Sequence, residues 1–191
     1  MQRPVCFVHL LGFAGSGKLS IAKELAPRLR AILVDNHFVN NVVLGLIEPD
    51  GVTPLPPGVW VNIRKVQDVV LETIQHYAKP GRSFVFTNEI LEGEPLAEQA
   101  CSAIAKIAES RGATYVPVRL LISAEELARR VASPERAAKL KEVDVEAALR
   151  KTQTQRVYTP PNYKCLDLTV TNMSAIDAAE EIALHVRTPE A

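Results

Sequence analysis

The stretch "HLLGFAGSGKLSIAKEL", residues 9–25, decides how the rest of this chain is read. An apolar run stops at Gly12, the chain turns through Gly15-Ser16-Gly17-Lys18, and apolar residues resume with helical spacing from Leu19. A strand, a glycine-rich turn and a helix in that order meet the demands of a phosphate-binding loop. Glycines let successive backbone N–H groups converge on phosphate oxygens, the helix N-terminus adds the positive end of its dipole, and a lysine supplies a point charge for the β and γ phosphates. Gly12, Phe13, Ala14, Gly15, Ser16, Gly17, Lys18, Leu19 and Ser20 are therefore the candidate nucleotide-binding segment, with the G-x-x-x-x-G-K spacing complete. Leu19 is a departure, because the residue after the lysine normally contributes a hydroxyl to Mg²⁺, and Ser20 comes one place late.

Outward from this loop, short β-type runs alternate with longer helical ones, the pattern of a parallel sheet with helical crossovers. The spacing predicts strands at Val5 to Leu11, Ala31 to Val34 (closing on Asp35), Ser83 to Thr87, Ala113 to Ile122 and Leu166 to Val170. Helices are expected at Leu19 to Leu29, where Pro27 should kink or shorten the helix, then at Asn40 to Ile47, Val59 to Ala78, and the stretch from Glu92 to Gly112 with Pro95 near its start. Ser123 with Glu126, and Ser174 with Asp177, read as helix-capping pairs. Between the second and third helices, "EPDGVTPLPPG" is too rich in proline and glycine for regular structure, and loops of this size in compact domains tend to be binding flaps. The third strand, "SFVFTNE", ends in Thr87-Asn88 rather than in the acid that usually helps hold the metal in such sites. The fold class is α/β: one domain over residues 1–191, a five-stranded parallel sheet between helices, an acceptor-side flap at about 36–60 and a small lid at about 124–150.

Composition narrows the partners. Lys plus Arg and Asp plus Glu stand at 22 each, so no global positive field draws the chain to nucleic acid or to an anionic bilayer. The apolar run at the N-terminus is far shorter than the roughly 20 residues that span a membrane. Cys6, Cys101 and Cys165 are odd in number and without C-x-x-C spacing, which fits reduced thiols and a cytoplasmic protein.

On these motifs the chain resembles the shikimate and gluconate kinase branch of the small P-loop kinases. The phosphate loop carries the likeness, supported by "VDNHF" after the second strand, "LARRVASPERAAK" after the fourth and "TVTNMSAIDAAEEI" at the end. "GSGKLS" is similar to the variant found in adenylate-kinase-type enzymes, which also separate the lysine from the hydroxyl, so Mg²⁺ is expected to be held by water, phosphates and an acid elsewhere. The resemblance implies that Asp35 contacts the acceptor hydroxyl, that Arg64 pairs with an anionic acceptor, that Arg130 and Arg136 belong to a lid serving the γ-phosphate, and that Thr171 and Asn172 lie where a loop wraps adenine. Physics supports Asp35 independently, since ligands of open parallel sheets bind outside the carboxyl ends of the strands and a carboxylate there can accept a proton from an alcohol. A helix cap or an Asx turn is the alternative for Asp35, and a structural or capping role is the alternative for His37. Arg64 is otherwise an exposed helical arginine, and Trp60 either packs on a substrate or anchors the flap.

The expected function is transfer of the γ-phosphoryl of ATP, with Mg²⁺, to a hydroxyl of a small metabolite. Lys18, Asp35, Arg130 and Arg136 are the candidate catalytic residues, and Asp35, His37 and Arg64 the candidate acceptor contacts. An ATP-binding regulatory module without an acceptor is one alternative. A 5′-hydroxyl polynucleotide kinase is the other, disfavoured by the neutral net charge. The sequence leaves the acceptor's identity and the oligomeric state open.

Overall fold

A computed structural model describes residues 4–50, 53–94, 96–133 and 144–188. Five parallel strands form one sheet: β1 (Cys6–Leu11), β2 (Ile32–Asp35), β3 (Phe84–Asn88), β4 (Thr114–Leu121) and β5 (Leu166–Thr169), in the order β2-β3-β1-β4-β5. Among the described residues seven helices flank the sheet: α1 (Lys18–Leu29), α2 (Asn36–Leu44), α3 (Pro57–Tyr77), α4 (Ala97–Ser110), α5 (Ala124–Val131), α6 (Val145–Thr154) and α7 (Ala175–Arg187). All six residues of β1 are buried, as a central parallel strand covered on both faces must be.

Alternation along β1 sorts the core into two layers. Cys6, Val8 and Leu10 point to the face covered by α1 and α7, where Ile21, Ala22 and Leu25 meet Ala178, Ala179 and Ile182. Phe7 points the other way, into an aromatic layer with Phe84 and Phe86 beneath Ile74 of α3 and Ile104, Ala105 and Ala108 of α4. His9 shares that second face and is fully buried, a polar group in the middle of a six-residue apolar strand.

Both capping pairs form. Ser123 Oγ accepts from the Glu126 N–H at 3.3 Å, and Ser174 Oγ from the Asp177 N–H at 3.1 Å. The first helix continues two residues past Pro27 and stops where Arg30 turns left-handed at φ 51°. Three boundaries in α2 and α3 differ from the sequence expectation. α2 begins at Asn36, directly after β2, instead of at Asn40, because Thr87 Oγ1 on the neighbouring strand accepts the Asn36 N–H at 3.1 Å and satisfies a group the helix itself leaves unbonded. It ends at Leu44, before Gly45, instead of at Ile47. α3 begins at Pro57 rather than Val59, using proline at the helix start, where its missing N–H costs nothing. Pro95 lies outside the described residues.

The strand order reverses at β1, whose neighbours β3 and β4 lead to opposite sides of the sheet. The loop leaving β1 therefore emerges at the switch point, where the connections diverge and a crevice opens.

Candidate functional site

The glycine loop fills that crevice mouth. Gly15 and Gly17 both adopt φ 95°, the left-handed region open to glycine, and the Ser16 N–H closes a turn on Phe13 O at 3.0 Å. Gly17 occupies the N-cap position of α1 without any side-chain cap, so the first amides of the helix remain directed at whatever the loop receives. Lys18 folds over the loop, its Nζ donating to Gly12 O at 2.6 Å and to Phe13 O at 2.9 Å. Phe13 itself turns away from the cleft and packs among Leu11, Leu127, Val131 and Ala148, tying the loop to α5 and α6.

A cleft of about 1490 Å³ lies in front of the loop. Ala14, Gly15, Gly17, Lys18, Leu19 and Ser20 line it, whereas Gly12, Phe13 and Ser16 stand behind, with Ser16 fully buried and its Oγ without a partner among the described residues. Another wall comes from the end of β2, α2 and α3, which contribute Asp35, His37, Trp60 and Arg64. Trp60 is 52% exposed, so it stands on the cleft wall and is not sequestered beneath the flap. Arg64 forms no hydrogen bond or ion pair with any described residue and extends along this wall.

Asp35 sits at the N-cap position of α2, yet its side chain makes no capping hydrogen bond. One carboxylate oxygen accepts from Thr87 Oγ1 at 2.6 Å, and the other lies 3.9 Å from His37 Nδ1. The capping alternative is thus not the use to which this carboxylate is put. Its environment is a nearly buried pocket wall facing the phosphate loop.

Arg130 reaches the loop from α5. Its Nη1 donates to Ser16 O at 3.4 Å, its Nη2 to Val170 O at 3.2 Å, and its Nε to Glu126 Oε1 at 2.6 Å. Arg129 and then Arg130 hold the Glu126 carboxyl down at about 2, far below the usual carboxylate range. The guanidinium thus spans from the loop to the end of β5, lining the same cleft as Lys18 and Asp35 and standing beside Gly17. Arg136 lies outside the described residues. Thr171 and Asn172 do not line the cleft: Thr171 Oγ1 instead accepts the Ser123 N–H at 2.9 Å, and the wall beside them is formed by Val170 and Met173.

Sequence reasoning missed Glu89. It follows Asn88 at the end of β3, lines the cleft, and accepts the Ala14 N–H of the loop at 3.2 Å through Oε1. An acid one place beyond the strand end in "FTNE" was the available signal. Glu94 lines the same side, its carboxyl pushed up by burial, and Lys151 joins it from α6. Among the described residues no group of three or more His, Cys, Asp and Glu is arranged to hold a metal ion. The donor set, two separated carboxylates and the Ser20 hydroxyl, fits a hydrated Mg²⁺ that arrives on nucleotide oxygens and not a protein cage. No helix of the described residues is long and apolar enough to cross a membrane.

No protein-family model matches the sequence, and no curated protein matches it. Solved structures do. A gluconokinase from Sinorhizobium meliloti superposes with TM-score 0.57 at 16% identity, covering 97% of this chain and 95% of its own. A shikimate kinase from Acinetobacter baumannii, in complex with shikimate, gives TM-score 0.51 at 16% identity, over 95% of this chain and 93% of its own. An APS kinase from Mycobacterium tuberculosis, in complex with AMPPNP and APS, gives TM-score 0.56 at 18% identity, over 97% and 98%. With its five-stranded parallel sheet, helices on both faces and glycine loop after the central strand, the chain has the fold of the P-loop kinases of the shikimate and gluconate kinase type.

Proposed function

We propose that the protein is a kinase that moves the γ-phosphoryl of ATP to a hydroxyl of a small metabolite. The observation that carries this reading is Asp35: a carboxylate buried in the wall facing the phosphate loop, at a helix start where it does no capping. The named activities of the structural relatives support it, as does the AMPPNP bound to one of them.

In this reading the loop amides and Lys18 bind the triphosphate, and the carbonyls of Gly12 and Phe13 keep the ammonium poised above the loop. Arg130 braces the loop from the β5 side, and Arg136 is assigned to the lid that neutralises charge on the transferring group. Val170 and Met173 line the end of the cleft assigned to adenine, with Thr171 and Asn172 in the loop between them and off the cleft. Mg²⁺, when bound with the nucleotide, screens the phosphate charge, and Asp35 and Glu89 are the residues that would hold its water shell. The acceptor lies between the loop and the wall formed by α2 and α3, with His37 and Arg64 against it. Asp35 takes the proton of the acceptor hydroxyl as the new O–P bond forms, and the bond from the γ-phosphorus to the bridging oxygen breaks to release ADP. The reduced cysteines fit a cytoplasmic setting.

Coupled measurement of ADP release over a panel of sugar acids, polyols, nucleosides, shikimate-like alcohols and oligonucleotide 5′ ends tests the assignment. Asp35→Asn should leave ATP affinity near the parental value while slowing transfer roughly 10²-fold or more. Transfer by that variant at the parental rate would remove Asp35 from the chemistry. ATP hydrolysis indifferent to every acceptor would instead favour a regulatory module.

A further inference from the structure

A file of polar side chains runs from the sheet core into the acceptor wall. His9 is fully buried, and both ring nitrogens are engaged: Nδ1 lies 2.9 Å from Tyr115 Oη, and Nε2 lies 2.9 Å from Asn88 Oδ1. Asn88 Nδ2 donates to Asn36 Oδ1 at 3.0 Å, and Gln67 Nε2 of α3 donates to the same oxygen at 3.3 Å. The Asn36 N–H donates to Thr87 Oγ1, whose own hydroxyl proton goes to Asp35. Asn36 and Asp35 are thus fixed on two sides of a single hydroxyl.

We infer that Asn36 is the specificity-determining residue for the acceptor, presenting an amide N–H donor beside Asp35, and that His9 is the positioning residue which sets that polarity from within the core. This rests on the kinase reading above. The logic is one of donors and acceptors. A neutral imidazole has one N–H and one lone pair. Asn88 Oδ1 can only accept, so Nε2 carries the ring proton and donates to it, which leaves the Nδ1 lone pair facing the Tyr115 hydroxyl. The Asn88 amide nitrogen then faces outward and donates to Asn36 Oδ1. That oxygen, receiving Gln67 as well, has both lone pairs filled from behind. The Asn36 amide nitrogen has no partner among the described residues, and the residue borders the cleft. One helical turn on, Asn40 lies on the same wall, 8% exposed, with its Oδ1 buried and unpartnered among the described residues. Side chains so spaced stand about 5–6 Å apart at Cβ.

The wall therefore asks for a ligand with one hydroxyl for Asp35 and a neighbouring oxygen that accepts from Asn36. A polyhydroxylated carbon chain meets both, and a simple monoalcohol does not.

The test uses the full chain. Long-range ¹H–¹⁵N spectra at neutral pH should show His9 protonated at Nε2, and protonation at Nδ1 would reverse the chain of donors and overturn the inference. Turnover of ATP is then followed with D-gluconate, erythritol, glycerol and shikimate against ethanol, 1-propanol and 1-butanol. Polyols should be used and the monoalcohols not. Asn36→Asp, which turns the donor into an acceptor without changing shape, should raise the acceptor KM about tenfold or more with the ATP Kd unchanged. His9→Leu should do the same, and His9→Gln, which offers an acceptor and a donor at its two ends, should restore the KM. Should His9→Leu not fold, Asn36→Asp alone decides. An acceptor whose KM ignores Asn36→Asp overturns this inference and leaves the kinase reading intact, whereas a panel without any acceptor overturns both.

Discussion

Acidification should destabilise this protein through a single buried ring. In the unfolded chain His9 titrates near 6.5, and in the folded state burial among Phe86 and Tyr115 pushes it down to about 4. Between those values the unfolded state binds a proton that the folded state refuses, so stability falls as the pH drops through the window and levels off below about 4. Above 6.5 both states are neutral and the ring contributes no slope. The full gap is worth about 3 kcal/mol, of which about 2 kcal/mol is lost by pH 5. Urea denaturation of the parent and of His9→Gln at pH 7.5, 6 and 5 isolates the effect, because glutamine occupies a similar volume and does not titrate. The parent's stability should drop about 2 kcal/mol more than the variant's over that range. Parallel pH profiles would mean that the folded ring takes up a proton as readily as the unfolded one, and that burial does not hold His9 neutral.

Three further outcomes are expected. Lys18→Ala should lose about 1.5–3 kcal/mol of ATP binding free energy by calorimetry, as expected for a lost charge-assisted contact, and equal affinity would refute the phosphate-loop assignment. Gly15→Ala should lower the thermal midpoint and loosen α5, because a Cβ there would stand 2.8 Å from Leu127 Cδ1 and 3.0 Å from Val131 Cγ2 on a backbone held at φ 95°. An unchanged midpoint would show that α5 yields freely. Leu19→Ser should preserve activity, and the nucleotide-free parent should take up no Mg²⁺ at millimolar concentration in calorimetry; tight uptake would reveal a protein cage that the described carboxylates do not form.

What could be read in the sequence was what depends on near neighbours. The loop at residues 12–20, the order of strands and helices, and both capping pairs are local signals, and each is present in the structure. That Asp35 lies at the mouth of the cleft was also legible, because its position at a strand end is itself a local fact. The remainder of the site depends on distant partners. Glu89 gains its contact from Ala14, 75 residues away, and His9 meets Tyr115 across 106. His9 alone in "CFVHLL" gives no hint of a buried donor chain. Arg130 was expected from its motif to serve the γ-phosphate, and only the carbonyls of Ser16 and Val170 place its guanidinium at the flank of the loop. The early start of α2 was likewise hidden, since it depends on a threonine of another strand.

The register of the central strand also bears on how the chain is made. Cys6 pairs with Thr114 and Phe7 with Phe84, so neither edge of β1 can be occupied until distant segments have left the ribosome. At about 5–20 residues per second, the nascent chain waits roughly 5–20 seconds between synthesis of the first strand and of its second partner. Throughout that interval "CFVHLL" is an uncharged, proline-free segment of high β propensity, the kind that finds another copy of itself if nothing shields it. A holdase chaperone, or α1 folding early over Val8 and Leu10, would be needed most in those seconds, and yields of soluble protein should respond more to translation rate than to the stability of the finished fold.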